Sequence, residues 1–372
     1  MPFPGSQLQN NVELAYNLNR YAWIWETGLG LLILYALVKI FTAKGVWLKV
    51  LASTLILLLT GVIYLNNFVM RADKIFYQPG QVVFGSAKES SITNDRIVIG
   101  IEQNGEAKAY PLNIIGYHHQ VRDSLDNQPI MVTYCTVCRT GRVFRPLVDG
   151  KVENFRLVGM DQFNAMFEDA TTHSWWRQAT GECCAGPLKG KKLPEIPTQQ
   201  MTLESWAHLY PQTKVLQPDP QFAGHYASLK GYDNGTIKST LTGTDSVSGL
   251  PKSWVIVVVT KHGEKMYDWN ELKNQWVISD SVEGEPILLT RENNENSFHV
   301  FSRRVNDSIL NFSFHPNKDC LIDNTTSSVW DLFGNCMEGP MKGTRLKYIK
   351  AYQEFRHSYL TFPNAKTNEP VQ

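Results

Sequence analysis

The stretch Tyr134-Cys135-Thr136-Val137-Cys138-Arg139-Thr140-Gly141 holds the residues whose types and spacing can do chemistry. Two thiols three positions apart can close a small disulfide ring, cycle between dithiol and disulfide, or chelate a soft metal ion from one loop. His118, in Gly116-Tyr117-His118-His119, lies upstream of the apolar run 129–134 that delivers Cys135. Its imidazole is the natural third ligand, or the group that tunes a reactive thiol. Met166 adds a thioether as a further soft candidate. Imidazole and thiolate alone fit zinc, whereas thioether and thiolate together favour copper(I). Cys183-Cys184 has the wrong spacing to complete a zinc-type pair of pairs.

Other chemical signatures are missing from the sequence. It carries no Gly-rich phosphate loop, nucleophile elbow or zinc-protease helix, so neither a nucleotide nor a flavin is expected and the common hydrolase classes lack support. A net charge of +1 argues against a nucleic-acid partner. With 19% charged and 11% aromatic residues over 372 positions, the chain has enough apolar material for two ordinary domains.

The elements that position the cysteines follow two apolar stretches, 21–41 and 46–69. Each is close to the roughly 20 residues a bilayer-crossing helix needs. Together they predict a two-helix transmembrane hairpin with a tail at 1–20 before it and a tether at 70–91 after it. Tyr21, Trp23, Trp25, Trp47 and Tyr64 suit the membrane interfaces. Lys39, Lys44 and Lys49 crowd the hairpin turn, which places that turn in the cytoplasm and the rest outside it. The expected location is therefore the plasma (inner) membrane, multi-pass, with the lipid bilayer as first partner and the soluble region facing an oxidising space.

Beyond the tether the pattern is strand-dominated. Asn104-Gly105 and Asp149-Gly150 are hairpin signals between β-rich runs. Thr202 is the N-cap of a short helix reaching Leu209, with Glu204 in its first turn. The chain also repeats itself. Thr171, Thr172, Ser174 and Trp176 recur 154 positions on as Thr325, Thr326, Ser328 and Trp330. Gly181, Cys183, Gly186 and Pro187 recur 153 positions on as Gly334, Cys336, Gly339 and Pro340. Upstream, at a spacing of 157, Tyr110, Asp123, Ser124 and Thr133 meet Tyr267, Asp280, Ser281 and Thr290. The fold class expected is α+β: a strand-dominated soluble region of two tandem pseudo-repeats, 92–216 and 252–363, joined by a linker at 217–251 and followed by a tail at 364–372. At the spacing of 157, Cys135, Cys138 and His118 face Glu292, Glu295 and Gln275, so the soft, titratable set belongs to the first repeat alone.

These residues resemble a known bacterial and archaeal family, the one catalogued as domain of unknown function 3179. Ala109-Tyr110-Pro111-Leu112, then His118, then Val132-Thr133-Tyr134-Cys135-x-x-Cys138 carry the likeness. Asn164, Met166, Asp169, Trp176, Thr180, Gly181, Gly186, Pro187, Leu188 and Gly190 extend it. The resemblance covers about residues 80–350. It implies an extracytoplasmic domain, because members often carry export signals or lipid anchors, and it implies no established activity. The chain departs from the family pattern at Tyr117, where Trp is usual, at Thr136-Val137, where Pro-Leu is usual, and at Arg139, where a small residue is usual. An arginine beside the pair favours thiolate.

Three functions fit this sequence. The first is soft-metal binding or handling through His118, Cys135 and Cys138, with Met166 as a further candidate, in service of a membrane enzyme or metalloprotein. The second is thiol–disulfide chemistry at Cys135 and Cys138. The third is an interaction domain whose cysteine pair staples a loop.

Overall fold

The structure is a computed structural model and describes residues 5–362. The tail expected at 364–372 and the first four residues of the expected 1–20 tail lie outside the described residues. The chain divides into two compact units. One combines the chain up to Tyr77 with Glu153–Arg177 and Glu182–Lys192; the other combines Gln78–Val152, Gln178–Gly181 and the chain from Leu193 onward.

In the first unit, helices Ala22–Thr42 and Val46–Tyr64, the latter extended by a π turn over Leu65–Val69, are long and apolar enough to cross a membrane. Their leucines, valines and tryptophans stand exposed, Trp47 and Leu57 among the most so. An exposed apolar surface of this length finds its favourable surroundings in hydrocarbon. The segment before them is more than a tail. It folds into the helix Val12–Arg20, because Val12 and Tyr16, one turn apart, present an apolar stripe. That stripe packs on Met166, Trp175, Cys184 and Ala185, with Tyr16 edge-on to the Trp175 ring at 5.3 Å. Those partners belong to a sheet ordered Cys183–Ala185, Trp175–Arg177, Asn164–Asp169, Phe155–Asp161.

The second unit is built mainly of antiparallel strands. Ile97–Gln103 and Glu106–Pro111 form a hairpin across Asn104-Gly105, both at positive φ (52° and 86°), the geometry an Asn-Gly turn supplies without strain. The hairpin sits in a five-stranded sheet with Gln199–Thr202 at one edge and Lys214–Leu216 and Phe84–Ser86 at the other. The expected tether therefore contributes an edge strand, and it also holds the short helix Ala72–Ile75. Thr202 caps the helix Leu203–Leu209 by accepting from Ser205 N, and Leu203 and Trp206 bury onto this sheet. A second sheet is ordered Glu195–Ile196, Thr140–Phe144, Gln128–Cys135, Gln120–Leu125. The helix Leu112–His118 links the two sheets.

Further along, Trp254–Val259 and Glu264–Asp268 form a hairpin, helix Trp269–Gln275 follows, and Val277–Val282, Glu285–Arg291 and Phe298–Ser302 make a meander. A four-stranded sheet then runs Phe312–His315, Cys320–Asp323, Val329–Trp330, Cys336–Glu338. Ala351–Phe355 returns to pair with Trp254–Val259. The segment expected as a linker at 217–251 contains two short helices, Pro220–Phe222 and Ala223–Ser228, the first started by Asp219 accepting from Gln221 N.

Candidate functional site

Cys135 ends its strand and pairs across the hairpin with Thr140, so it stands immediately before the turn 136–139 of a tight β-hairpin and Cys138 stands within that turn. Arg139 takes the left-handed conformation, φ 56°, that returns the chain to the next strand. The pair therefore opens no helix of its own. Cys135 and Cys138 are both 0% exposed.

A buried turn must have its polar backbone satisfied, and three residues from two distant segments do this. Phe355 N donates to Cys138 O at 2.9 Å. His357 Nε2 donates to Val137 O at 3.2 Å, and Tyr232 Oη donates to Thr136 O at 3.0 Å. Arg139, itself fully buried, donates to Gln353 Oε1 at 2.8 Å and to the carbonyls of Tyr232 and Asp233 at 3.0 and 2.8 Å. Its guanidinium lies 3.6 Å from the centroid of the Trp254 ring. A planar, always-charged fork suits this setting of carbonyls and an aromatic face. Burial holds the Lys252 ammonium below its ordinary value, opposed by Asp245 and by Cys138, which puts a second cation within electrostatic reach of that sulfur.

His118 is the last residue of the helix Leu112–His118 and is completely buried. The helix comes close to the cysteine turn: a Cβ at Gly116 would stand 3.0 Å from Thr136 Cγ2 and 3.2 Å from Leu229 Cδ1, which is why glycine occupies that position. His118 Nε2 and Tyr226 Oη are hydrogen-bonded at 2.7 Å. The rings of Tyr117, Phe222 and Tyr226 surround the imidazole at 4.9, 5.1 and 5.6 Å. Burial pushes the Tyr226 and Tyr134 phenols up to about 12 and the adjacent His119 imidazole down to about 4, so all three stay neutral around pH 7.

The hairpin and the His118 helix are thus packed together, and residues 222–233 of the segment 217–251 contact both. Among the described residues, no three His, Cys, Asp or Glu side chains stand as a formed metal-holding group. Met166 lies in the first unit, on Asn164–Asp169, with its sulfur 4.0 Å from Cys184 Sγ. Burial pushes the thiols of Cys183 and Cys184 up to about 11 and 12, which keeps them protonated and unreactive. Sequence reasoning missed the parts that hold the turn: Gln353, Trp254, Asp233 and the two tyrosines, Tyr226 and Tyr232. The tyrosines left one signal, as aromatic residues inside a Gly-, Ser- and Thr-rich stretch.

Residues 80–366 match the family model described as "Protein of unknown function (DUF3179)". No curated protein and no solved structure matches the chain.

Proposed function

Since this chain belongs to that family of unassigned activity, we propose its function from the site itself: a membrane-anchored protein that binds or hands on a soft metal ion through Cys135 and Cys138. The ion is copper(I) or zinc, because two thiolates and an imidazole make a donor set that suits either. His118, on the helix packed against the same turn, is the third donor. Tyr226 on its Nε2 plays the orienting part that the partner of a ligating histidine usually plays.

The observation that carries this reading is the complete burial of both sulfurs on a turn fixed by Arg139, Phe355, His357 and Tyr232. Exchange with a partner disulfide needs a third sulfur to reach one of the two. An ion needs far less room. Thiol–disulfide cycling is the second reading, favoured by the three-position spacing of the two cysteines.

The same proposal places the two apolar helices across the plasma (inner) membrane, as a multi-pass anchor, with the site outside the cytoplasm and a membrane enzyme or metalloprotein as recipient. It also takes the strand-rich body as two tandem pseudo-repeats. Lys108 and Tyr110 meet Asp123 at 2.9 and 2.6 Å, and Lys265 and Tyr267, 157 positions on, meet Asp280 at 2.6 and 2.9 Å. Thr172 and Ser174 likewise bond each other at 2.7 Å, as Thr326 and Ser328 do at 2.6 Å.

Elemental analysis of the full chain, purified in detergent, reduced and reconstituted, tests the metal reading. About one ion per chain is expected for the wild type, and none for the Cys135→Ser, Cys138→Ser double variant. Equal metal in both ends the reading. A reversible dithiol potential without metal retention would transfer the assignment to thiol chemistry.

A further inference from the structure

A second buried polar centre lies in the Glu285–Ser302 region. Glu292 Oε1 is 2.8 Å from His299 Nε2, and its other oxygen accepts from Ser205 Oγ at 2.7 Å and Asn294 Nδ2 at 3.2 Å. His299 is 1% exposed. A carboxylate that grips one ring nitrogen fixes the orientation of the ring. The imidazole also lines a cavity of about 250 Å³, together with Tyr210, Phe301, Phe333, Arg345 and Tyr348.

We infer that this cavity binds a small organic monoanion, a carboxylate carried on an apolar body about the size of one ring. The walls supply the apolar contact. The Phe301 ring lies nearly parallel to His299 at 5.9 Å, Phe333 meets it edge-on at 5.2 Å, and Tyr348 meets Phe301 edge-on at 6.2 Å. The charge on offer is positive. Arg345 stands exposed among the lining residues, and its planar fork matches a carboxylate. No lining residue is acidic, and the nearby carboxylate of Glu292 is occupied by three donors. The volume is below that of a typical drug-sized pocket, which limits the occupant to a compact molecule. The centre shares no residue with the cysteine hairpin, so the two assignments stand or fall separately.

Benzoate is a suitable probe, with benzylamine as the oppositely charged control of equal shape. Calorimetric titration of the full chain in detergent is expected to show saturable benzoate binding, no benzylamine binding, and affinity weakened by about tenfold or more in Arg345→Gln. Arg345 is exposed, so this variant keeps the fold even if His299→Gln does not. Absence of saturable benzoate binding overturns the inference. So does equal affinity in Arg345→Gln, or equal binding of benzylamine.

Discussion

The corner before Cys135 and the corner before Glu292 share a backbone and differ in chemistry. In the first, His119 at φ 60° ends the helix Leu112–His118 and its carbonyl accepts from Tyr134 N at 3.0 Å. In the second, Trp276 at φ 66° ends the helix Trp269–Gln275 and its carbonyl accepts from Arg291 N at 3.4 Å. Past that point the first corner buries two thiols and an arginine. The second places Glu292 between His299 and Ser205, followed by the exposed Asn293 and Asn294. The frame therefore accommodates either set of side chains. It follows that the thiols are not what gives the corner its shape. Glu292, which stands where Cys135 does in the first corner, is the hub of its own polar network.

The largest effect that sharpens this contrast comes from Arg139. Replacing it with leucine takes the guanidinium donors from Gln353 Oε1 and from the carbonyls of Tyr232 and Asp233 in the interior. Breaking a buried charged network in this way costs about 3–5 kcal/mol. Denaturant unfolding of the purified chain should show that loss, accompanied by loss of metal. Asn296, the residue 157 positions on, should tolerate alanine within about 0.5 kcal/mol, as partly exposed surface positions usually do. Comparable costs at both positions would mean that the two corners do not divide their labour as described.

Glu292→Ala comes next. It removes the partner of His299, Ser205 and Asn294 together, and about 2–3 kcal/mol of stability is expected to go with it. Metal stoichiometry should stay unchanged. If the metal is lost while the fold is kept, Glu292 serves the cysteine site and the separation of the two centres fails.

Much of this arrangement was legible in the sequence, and the reasons are local. Asn104-Gly105 announced its hairpin because that turn needs two residues tolerant of positive φ, and Thr202 announced a helix because its hydroxyl caps the first turn. The cysteine pair announced itself by spacing. What holds it did not, because the contacts are remote: Arg139 reaches partners 93, 94 and 214 positions away, and His118 finds Tyr226 108 positions on. Such pairings leave no periodic or turn signal. For the same reason 217–251 read as a linker although its residues 222–233 contact the site, and Glu292 read as a substitution for cysteine rather than as the mate of His299 and Ser205.

Tyr226→Phe probes whether His118 belongs to the cysteine site. The change keeps the ring in its place against Tyr117 and Phe222 and deletes only the hydroxyl on His118 Nε2. Stability should fall by about 1 kcal/mol. If His118 is the third donor, metal affinity should fall by about 10-fold to 100-fold, the usual consequence of losing the group that orients a ligating histidine. An unchanged affinity in a folded variant would leave the two sulfurs as the whole donor set.

The last effect, which emerges only on titration, is a pH dependence in the strand that clamps the hairpin. Glu354 precedes Phe355, whose N–H holds Cys138 O. Burial pushes its carboxyl up to about 7 from an ordinary 4.5, although Arg142 pulls the other way. The folded state therefore binds a proton that the unfolded state has released across this interval. Stability is highest below about pH 4.5 as far as this group is concerned, and it falls as the pH rises towards 7, by at most a few kcal/mol. Glu354→Gln cannot ionise and should flatten that slope without altering metal content. Chemical unfolding at closely spaced pH values between 5 and 8 reads the slope directly. The absence of any difference between wild type and variant would show that Glu354 is hydrated rather than sealed behind the hairpin, and with it the closed character of the cysteine turn would be lost.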